Sequence, residues 1–303
     1  MEHYQLKQLQ TLPLSQKIFR SMRKIKEWYE HWEGQVYVSF SGGKDSTVLL
    51  DLVRSRYPNV PAVFVDTGLE YPEIRDFVKS IDNVVWLKPK MPFTDVIKKY
   101  GFPIVSKEQS QFIYQYRTAK SQKTKDTRWN GNSCGRGKIS EKWKFLVDAP
   151  FIISDKCCDV MKKNPSNKFE KETGLYPMIG TMACNSQLRQ QKYLKQGCNA
   201  FDSKRKTSQP LSFWTEEDVW GYINIKNLSY SKIYDMGEEN TGCMFCMYGV
   251  HKDKENKFQR MKRTHQKQWE YCMFKLGLAN VLDYIGVDYG QQLTFEDCNM
   301  ETN

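Results

Sequence analysis

The sequence lacks every segment that would predict a membrane-bound or exported protein. No apolar run approaches the roughly 20 residues of a membrane-spanning helix. The first residues, MEHYQLKQLQTLPLSQ, contain no apolar signal-peptide core. Repeats at a fixed period and long low-complexity tracts are also missing. We therefore expect a cytoplasmic protein with no membrane partner.

Length, charge and cysteine content limit the classes of protein to which this chain can belong. The 303 residues suit one large domain or two smaller ones. A net charge of +11 favours an anionic partner, although a solvated, lysine-rich surface gives the same total. Nine cysteines without an export signal indicate a reducing compartment. There, clustered cysteines bind metal or do chemistry more often than they form disulfides.

A strand, a glycine turn and a helix follow one another in residues 36–47, VYVSFSGGKDST. Alternating apolar residues predict the strand, and an apolar stripe after Asp45 predicts the helix. Gly42 and Gly43 permit positive φ and outward-facing amides, which with the helix N-terminus favour an anion site. The turn adds hydroxyl donors at Ser41 and Ser46, a positive charge at Lys44 and an expected N-cap at Asp45.

The spacing of this turn differs from that of the common phosphate loop, G-x-x-x-x-G-K-[ST], because no glycine precedes Gly43 by five residues. A plain Gly-Gly turn capped by Asp45 is the alternative interpretation. The eight residues SFSGGKDS resemble the PP-loop of the adenine-nucleotide alpha-hydrolase superfamily.

Strands and helices alternate along the rest of the chain, which predicts an α/β fold with a doubly wound, mainly parallel sheet. The predicted strands cover 36–40, 60–65, 84–87 and 176–182. The main predicted helices are an amphipathic one over 15–33, others over 93–100 and 107–118, and one capped by Thr215. Asp66, Thr67 and Gly68 end the second strand, where open α/β sheets bind ligands.

We expect three regions along the sequence. Residues 1–34 form the N-terminal amphipathic helix, residues 35–225 the PP-loop nucleotide-binding domain, and residues 226–303 a basic, cysteine-containing and mostly helical extension. Residues 119–142 are basic and nearly free of aliphatic side chains, so we predict a loop there, either a lid over an anionic ligand or a simple insertion.

Two cysteine pairs predict a metal centre, Cys157-Cys158 and Cys243-x-x-Cys246. Adjacent side chains diverge by about 100° in a helix and about 180° in a strand, so two neighbouring thiolates converge poorly on one zinc ion. An iron–sulfur cubane is wider and takes one thiolate per iron. We favour the cluster, with zinc as the alternative metal and a redox disulfide or inert cysteines as further alternatives. The isolated Cys184, Cys198 and Cys272 are expected to be inert.

Six stretches in order resemble the 3′-phosphoadenylylsulfate (PAPS) reductase family, over residues 36–247. They are SFSGGKDS, VDTGLEYPE, DKCCDVMKKNP, NSQLR, QPLSFWTEEDVW and YDMGEENTGCMFC. The cysteine pattern is similar to the [4Fe-4S] pattern of adenylylsulfate (APS) reductases and of the DNA phosphorothioation protein DndC.

The resemblance implies a role for each matching position. The implied nucleotide-binding residues are Ser39, Ser41, Gly42, Gly43, Lys44, Asp45, Ser46, Asp66, Thr67, Gly68, Ser186 and Arg189. The implied ligands of the [4Fe-4S] cluster are Cys157, Cys158, Cys243 and Cys246. Lys44 and Arg189 are the implied catalytic cations, and Cys298 is the candidate nucleophile.

Two departures from the family pattern keep two functions open. Gly180-Thr181-Met182-Ala183 stands where the family has arginines, and Cys298 lies in FEDCNMETN without the family's glycine. One expectation is a reductase that acts on APS or PAPS with a thiol reductant such as thioredoxin. The other is a DndC-like ATP pyrophosphatase or sulfurtransferase that uses Mg and binds DNA or RNA through basic segments. Either enzyme could be a homo-oligomer.

Overall fold

The chain alternates between two units in the computed structural model, which describes residues 2–290. The first, which we call the sheet unit, comprises residues 2–90, 161–235 and 239–241. The second, the cysteine unit, comprises residues 91–160, 236–238 and 242–290. Cys298 lies outside the described residues.

A six-stranded sheet with the order β3-β2-β1-β5-β7-β6 forms the centre of the sheet unit. Its strands are β1 (Val36–Ser39), β2 (Ala62–Val65), β3 (Val84–Leu87), β5 (Tyr176–Ile179), β6 (Asn199–Ala200) and β7 (Thr207–Ser208). All neighbours pair in parallel except β6 and β7. The predicted α/β fold with a mainly parallel sheet is therefore confirmed.

The strand order places the PP-loop at a switch point of the sheet. The chain proceeds from β1 outward to β2 and β3, then returns to the opposite side of β1 as β5. Loops at the carboxyl ends of β1 and β5 consequently leave in opposite directions, and the crevice between them is where open α/β sheets bind ligands. Residues 40–43 follow β1 at this point.

Seven α-helices of the sheet unit are described. They are α1 (His3–Gln10), α2 (Leu14–His31), α3 (Lys44–Arg54), α4 (Pro72–Lys79), α9 (Asn164–Thr173), α10 (Gln187–Gln196) and α11 (Glu216–Lys226). The sequence pattern predicted α2, and the capping box of α11 between Thr215 and Asp218 is also present.

The buried face of α2 contains polar residues that the apolar stripe did not predict. Lys17 is buried and donates to Asp218 at 2.5 Å and to the carbonyl of Gln10 at 2.6 Å. Ser21 donates to the carbonyl of Pro210 and accepts from the Trp214 indole. Burial of these groups is tolerated because each finds a partner.

The cysteine unit is mostly helical, and it joins the helices predicted for the C-terminal extension to residues 91–160, which the sequence assigned to the nucleotide-binding domain. Its helices are α5 (Phe93–Tyr100), α6 (Lys107–Thr118), α7 (Gln122–Asn130), α8 (Lys156–Cys158), α12 (Lys257–Thr264), α13 (Gln266–Glu270) and α14 (Leu278–Tyr284). A two-stranded parallel ladder joins β4 (Ile104–Val105) to β8 (Met247–Tyr248). None of the helices in residues 2–290 is long and apolar enough to cross a bilayer.

The prediction of a loop over residues 119–142 is wrong for its first half, because α7 occupies residues 122–130. This helix has no buried residue and is held on α6 by polar and aromatic contacts. The Arg128 side chain donates to Gln115 at 2.7 Å and lies 4.4 Å from the centroid of the Phe112 ring. Aliphatic periodicity could not reveal a helix that is attached in this way.

Candidate functional site

Both glycines of the PP-loop are required by close contacts, for different reasons. Gly42 has φ +71°, and a Cβ there would lie 2.8 Å from a methyl group of Val78 and 2.9 Å from one of Ile74. Gly43 has an ordinary φ of −86°, but a Cβ there would lie 2.5 Å from Oγ1 of Thr241. The loop is thus wedged between α4 and residue 241.

The amides of the loop are bonded to nearby hydroxyl groups. The Ser41 amide donates to the Ser46 hydroxyl at 3.2 Å, and the Gly43 amide donates to the Ser41 hydroxyl at 3.3 Å. The Lys44 amide donates to the Tyr234 hydroxyl at 2.8 Å. Hydroxyl oxygens hold these donors in the way that anionic oxygens would, so the loop has the donor arrangement of an anion site.

The Lys44 side chain is buried and already paired. Its Nζ lies 2.9 Å from the carbonyl oxygen of Glu239 and 3.2 Å from Oε1 of Glu216, and it is 5.2 Å from the centroid of the Tyr234 ring. Burial raises the pKa of Tyr234 to about 12, which keeps its hydroxyl protonated at neutral pH. Local sequence could not identify these partners, because they lie more than 170 residues from Lys44.

Asp45 is not the N-cap that the sequence predicted. Gly43 caps α3, and Asp45 lies in the first turn of the helix. Its Oδ1 is buried and accepts no hydrogen bond within the described part of the chain, although Nζ of Lys44 lies 4.0 Å away. Burial raises the pKa of Asp45, and the charges of Lys44 and Arg189 oppose that rise. A buried carboxylate oxygen without a donor marks this place as a candidate ligand contact.

A cleft with a volume of about 120 Å³ opens at the carboxyl ends of β1 and β2. Its lining residues are Ser39, Phe40, Ser41, Val63, Phe64, Val65, Glu70, Lys162, Ser166 and Thr241. Ser39 and Ser41 are the nucleotide-binding residues from the sequence prediction that lie in this lining. This volume is smaller than the roughly 300–1,000 Å³ of most small-molecule sites, so a whole nucleotide would extend beyond the cleft.

Asp66, Thr67 and Gly68 form a turn that is closed by its own contacts. Asp66 accepts from the Gly68 amide at 3.1 Å and from Arg75 at 2.9 Å. Thr67 donates its hydroxyl and its amide to Glu70 at 2.7 and 3.0 Å. Glu70 in turn reaches the lining of the cleft, so this turn positions the one carboxylate that lines it.

Ser186 and Arg189 lie together at the start of α10. The Ser186 hydroxyl caps the helix by accepting from the Arg189 amide at 3.2 Å, and the Arg189 side chain is exposed. Gly180, where the family has an arginine segment, passes close to α3: a Cβ there would lie 2.8 Å from the carbonyl oxygen of Asp45. The close approach of two backbones explains the glycine at this position.

The four cysteines of the predicted centre all belong to the cysteine unit. Cys157 and Cys158 lie in α8 with their sulfurs 3.9 Å apart. The Cys246 amide donates to the Cys243 carbonyl at 3.0 Å, which closes the CxxC turn. The pKa of Cys157 is raised by its hydrogen bond to Cys158, by burial and by the nearby thiols of the CxxC pair. The two pairs therefore share one neighbourhood.

The donor set fits a thiolate-bound iron–sulfur cluster. The groups whose charges raise the pKa of Cys157 are Cys158, Cys246 and Cys243, and cysteine thiolates are the ligands of such clusters. Nζ of Lys257 donates to the Cys243 carbonyl at 2.7 Å; burial lowers the pKa of Lys257, and the thiols of Cys246 and Cys243 oppose that decrease. Within residues 2–290, no group of three or more His, Cys, Asp or Glu residues is arranged to hold a metal ion, so the four cysteines fit a cluster in donor chemistry and not in ligand geometry.

The three cysteines that were expected to be inert are placed differently. Cys184 is exposed, whereas Cys198 and Cys272 are buried, and burial raises the pKa of both to about 12. Protonated, buried thiols of this kind are poor nucleophiles and poor ligands.

The sequence profile of the phosphoadenosine phosphosulfate reductase domain matches residues 35–95 and 84–248. The chain belongs to this family. It is 28% identical to an uncharacterized protein of Methanocaldococcus jannaschii over 75% of this chain, and it spans 46% of that relative. It is 25% identical to an adenosine 5′-phosphosulfate reductase of Lysinibacillus sphaericus over 76% of this chain and 81% of the relative. The crystal structure of a PAPS reductase from Candida auris in complex with phosphate matches with a TM-score of 0.43, at 16% identity over 80% of this chain and 96% of that one.

Proposed function

We propose that this protein is a cytoplasmic enzyme of sulfur metabolism that binds an adenine nucleotide at the PP-loop and acts at the sulfate of APS or PAPS. The observation that carries the proposal is the position of Ser41, which belongs both to the amide-rich loop and to the lining of the cleft. A nucleotide whose nucleoside fills the cleft would bring its phosphate end to the loop. The 25% sequence identity to an adenosine 5′-phosphosulfate reductase, over 76% of the chain, supports a sulfonucleotide as the substrate.

The loop residues would bind and orient the phosphate and sulfate groups. Amides of the loop would exchange their hydroxyl partners for anionic oxygens, and Lys44 would neutralise the charge that develops on the leaving nucleotide. For this, Lys44 must exchange at least one of its contacts with Glu216 and Glu239 for the ligand. Arg189, exposed at the start of α10, is the second cation for the sulfate or phosphate end.

In the reductase reaction a cysteine thiolate attacks the sulfur atom of the sulfonucleotide. The S–O bond to the nucleotide breaks, AMP or its 3′-phosphate leaves with the electron pair, and an enzyme thiosulfonate forms. A dithiol such as thioredoxin then releases sulfite and is oxidised to its disulfide. Cys298 is the proposed nucleophile, although its acidic neighbours would raise its pKa.

Cys157, Cys158, Cys243 and Cys246 would hold a [4Fe-4S] cluster, with zinc as the alternative metal. When bound, the cluster supplies local charge and fixes the position of the segments that carry its ligands. The protein contributes the thiolates, the Lys257 donor beside Cys243, and a setting in which Cys157 is buried and the other three cysteines are half-buried.

Turnover with labelled nucleotides tests the proposed function. Full-length protein prepared without oxygen is incubated with APS, PAPS or ATP and a thiol reductant, and sulfite, AMP and pyrophosphate are measured. Thiol-dependent sulfite from APS or PAPS is expected. Pyrophosphate from ATP with no sulfite would replace the reductase by the pyrophosphatase. If the protein neither turns over nor binds any of the three nucleotides, both the reductase and the pyrophosphatase proposals are overturned.

The second candidate function is a DndC-like ATP pyrophosphatase or sulfurtransferase that modifies a nucleic acid. The exposed basic residues on and around α7 favour it, because this helix buries none of its side chains. Lys120, Lys123 and Arg136 are exposed there. When such cations contact phosphates, they displace the counterions bound to the nucleic acid, and binding therefore depends on salt concentration.

Gel-shift titrations with DNA and RNA at several salt concentrations test this second candidate. Affinity should fall steeply with salt. Replacing Lys120, Lys123 and Arg136 with glutamine should reduce the slope of log affinity against log salt by up to about 3. No binding at low salt would leave these residues as solvated surface.

A further inference from the structure

The hydroxyl group of Tyr248 is buried and has no hydrogen-bond partner among the residues that the structure describes. A buried hydroxyl without a partner is costly, and such groups are rare in folded proteins. Either this hydroxyl destabilises the folded protein, or it binds a partner that the polypeptide itself does not supply.

The surroundings of Tyr248 identify what that partner would be. Tyr248 follows Cys246 by two residues, and its pKa is raised first by burial and then by the thiols of Cys157, Cys158 and Cys246. Three of the four proposed cluster ligands therefore lie close enough to influence the phenol. The carboxylate of Asp155 raises this pKa less than the three thiols do, so sulfur is the main acceptor in this neighbourhood.

The backbone fixes the position of Tyr248 firmly. In the β4–β8 ladder Tyr248 pairs with Val105, and the Gly249 amide donates to the Val105 carbonyl at 3.0 Å. Val105 has φ +62°, which is unfavourable for a β-branched residue. Strained backbone of this kind persists where the surrounding structure requires it, and it is enriched at functional sites.

We propose that Tyr248 donates a hydrogen bond from its hydroxyl to a sulfur atom of the cluster held by the four cysteines. This inference rests on the cluster assignment under the proposed function. Tyr248 would be a positioning residue: it would bind no substrate and would retain and tune the cluster. Hydrogen bonds to sulfur are among the features by which proteins set the properties of such clusters.

The proposal predicts opposite effects of Tyr248→Phe on the two forms of the protein. In the iron-free protein the hydroxyl has no partner, so its removal should leave the melting temperature unchanged or raise it. In the iron-loaded protein the variant should lose iron to a chelator about tenfold faster than the wild type. A residue with only a packing role would not produce this difference.

The test uses full-length protein loaded with iron and sulfide without oxygen, as wild type, Tyr248→Phe and the control Tyr289→Phe. Tyr289 is a buried tyrosine of the same unit whose hydroxyl donates to Asp283. Resonance Raman spectra in H₂O and D₂O should show Fe–S bands that shift on deuteration in the wild type and the control. The shift should be smaller in Tyr248→Phe.

Each remaining result has a defined meaning. Identical Raman shifts and iron-loss rates in the wild type and Tyr248→Phe would overturn the role of Tyr248 alone. Equal destabilisation of the iron-free and iron-loaded variant would also overturn it. A wild type that takes up no iron would overturn both the cluster and this inference. Nucleotide titration of the same sample would then show whether the PP-loop assignment stands.

Discussion

The substitution Gly43→Ala probes the fit between the PP-loop and residue 241. The added Cβ would lie 2.5 Å from Oγ1 of Thr241, whereas ordinary contacts begin at 3.4 Å. The backbone of Gly43 has φ −86°, which alanine adopts freely, so the cost comes from overpacking and not from strain. Overpacking of this kind costs about 1–3 kcal/mol of unfolding free energy.

A second substitution separates this contact from other effects. Thr241→Ala removes the oxygen that the new methyl group would meet, so the double variant Gly43→Ala/Thr241→Ala should recover most of the lost stability. The matched control is Gly197→Ala, because Gly197 has φ +68° and no atom within 4 Å of its Cβ position. Its cost is backbone strain of about 1–2 kcal/mol, which Thr241→Ala should not relieve.

Urea unfolding of the single variants and of the double variants Gly43→Ala/Thr241→Ala and Gly197→Ala/Thr241→Ala gives a coupling energy for each pair of positions. A coupling of about 1 kcal/mol or more is expected for Gly43 with Thr241, and none for Gly197 with Thr241. The rescued double variant should still bind APS at least tenfold more weakly than the wild type, a loss of about 1.4 kcal/mol, because the methyl group remains among the loop amides. Full stability of Gly43→Ala alone, or no rescue, would refute the described loop geometry.

Three further predictions concern the two sites. Cys243→Ser should remove iron from protein prepared without oxygen and lower its melting temperature, whereas the buried control Cys272→Ser should keep its iron; metal analysis and thermal melting check both. Lys257→Met removes the Nζ donor to the Cys243 carbonyl and should cost about 0.5–1.5 kcal/mol of unfolding free energy in the iron-loaded protein by urea unfolding, and retention of full stability and full iron would contradict it. Because burial raises the pKa of Asp45 above 3.8, the folded state keeps a proton that the unfolded state releases, so the free energy of unfolding should fall as pH rises from 3.8 to the raised pKa. Asp45→Asn should flatten this slope of unfolding free energy against pH, and an unchanged slope would contradict the burial of Asp45.

The same Asp45→Asn variant separates the two candidate substrates. Loss of a negative charge beside the loop should leave the affinity for APS or PAPS unchanged or higher. If ATP is the substrate and its magnesium ion is held by the free Oδ1 of Asp45, the affinity for magnesium–ATP should fall instead. Calorimetric titration of the variant with each nucleotide gives the answer.

The fold was predictable where a segment carries its own periodic pattern. The strand at Val84–Leu87 and the helices at Phe93–Tyr100 and Lys107–Thr118 match the predicted bounds. Strands of two residues, such as β6 and β8, are too short to show a period of two. Helix α7 was missed because it packs through Arg128 and aromatic rings and not through an aliphatic stripe.

The site was predictable only as far as it is local in sequence. The glycine turn, its serines and the cysteine pairs are visible as motifs, and the roles assigned to them remain proposals. The contacts of Lys44 with Tyr234, Glu216 and Glu239 are not visible, because they depend on how distant segments meet. Sequence also placed Asp45 at the cap, since the pattern alone cannot show that the helix begins at Lys44.

Binding of an adenine nucleotide to the PP-loop is the central claim, and equilibrium titration of the full-length protein tests it most directly. Protein prepared without oxygen is titrated separately with APS, PAPS and ATP, and the rescued variant Gly43→Ala/Thr241→Ala serves as the control. We expect saturable binding of at least one nucleotide by the wild type and at least tenfold weaker binding by the variant. Folded wild-type protein that binds none of the three, or a variant that binds as tightly as the wild type, would contradict it.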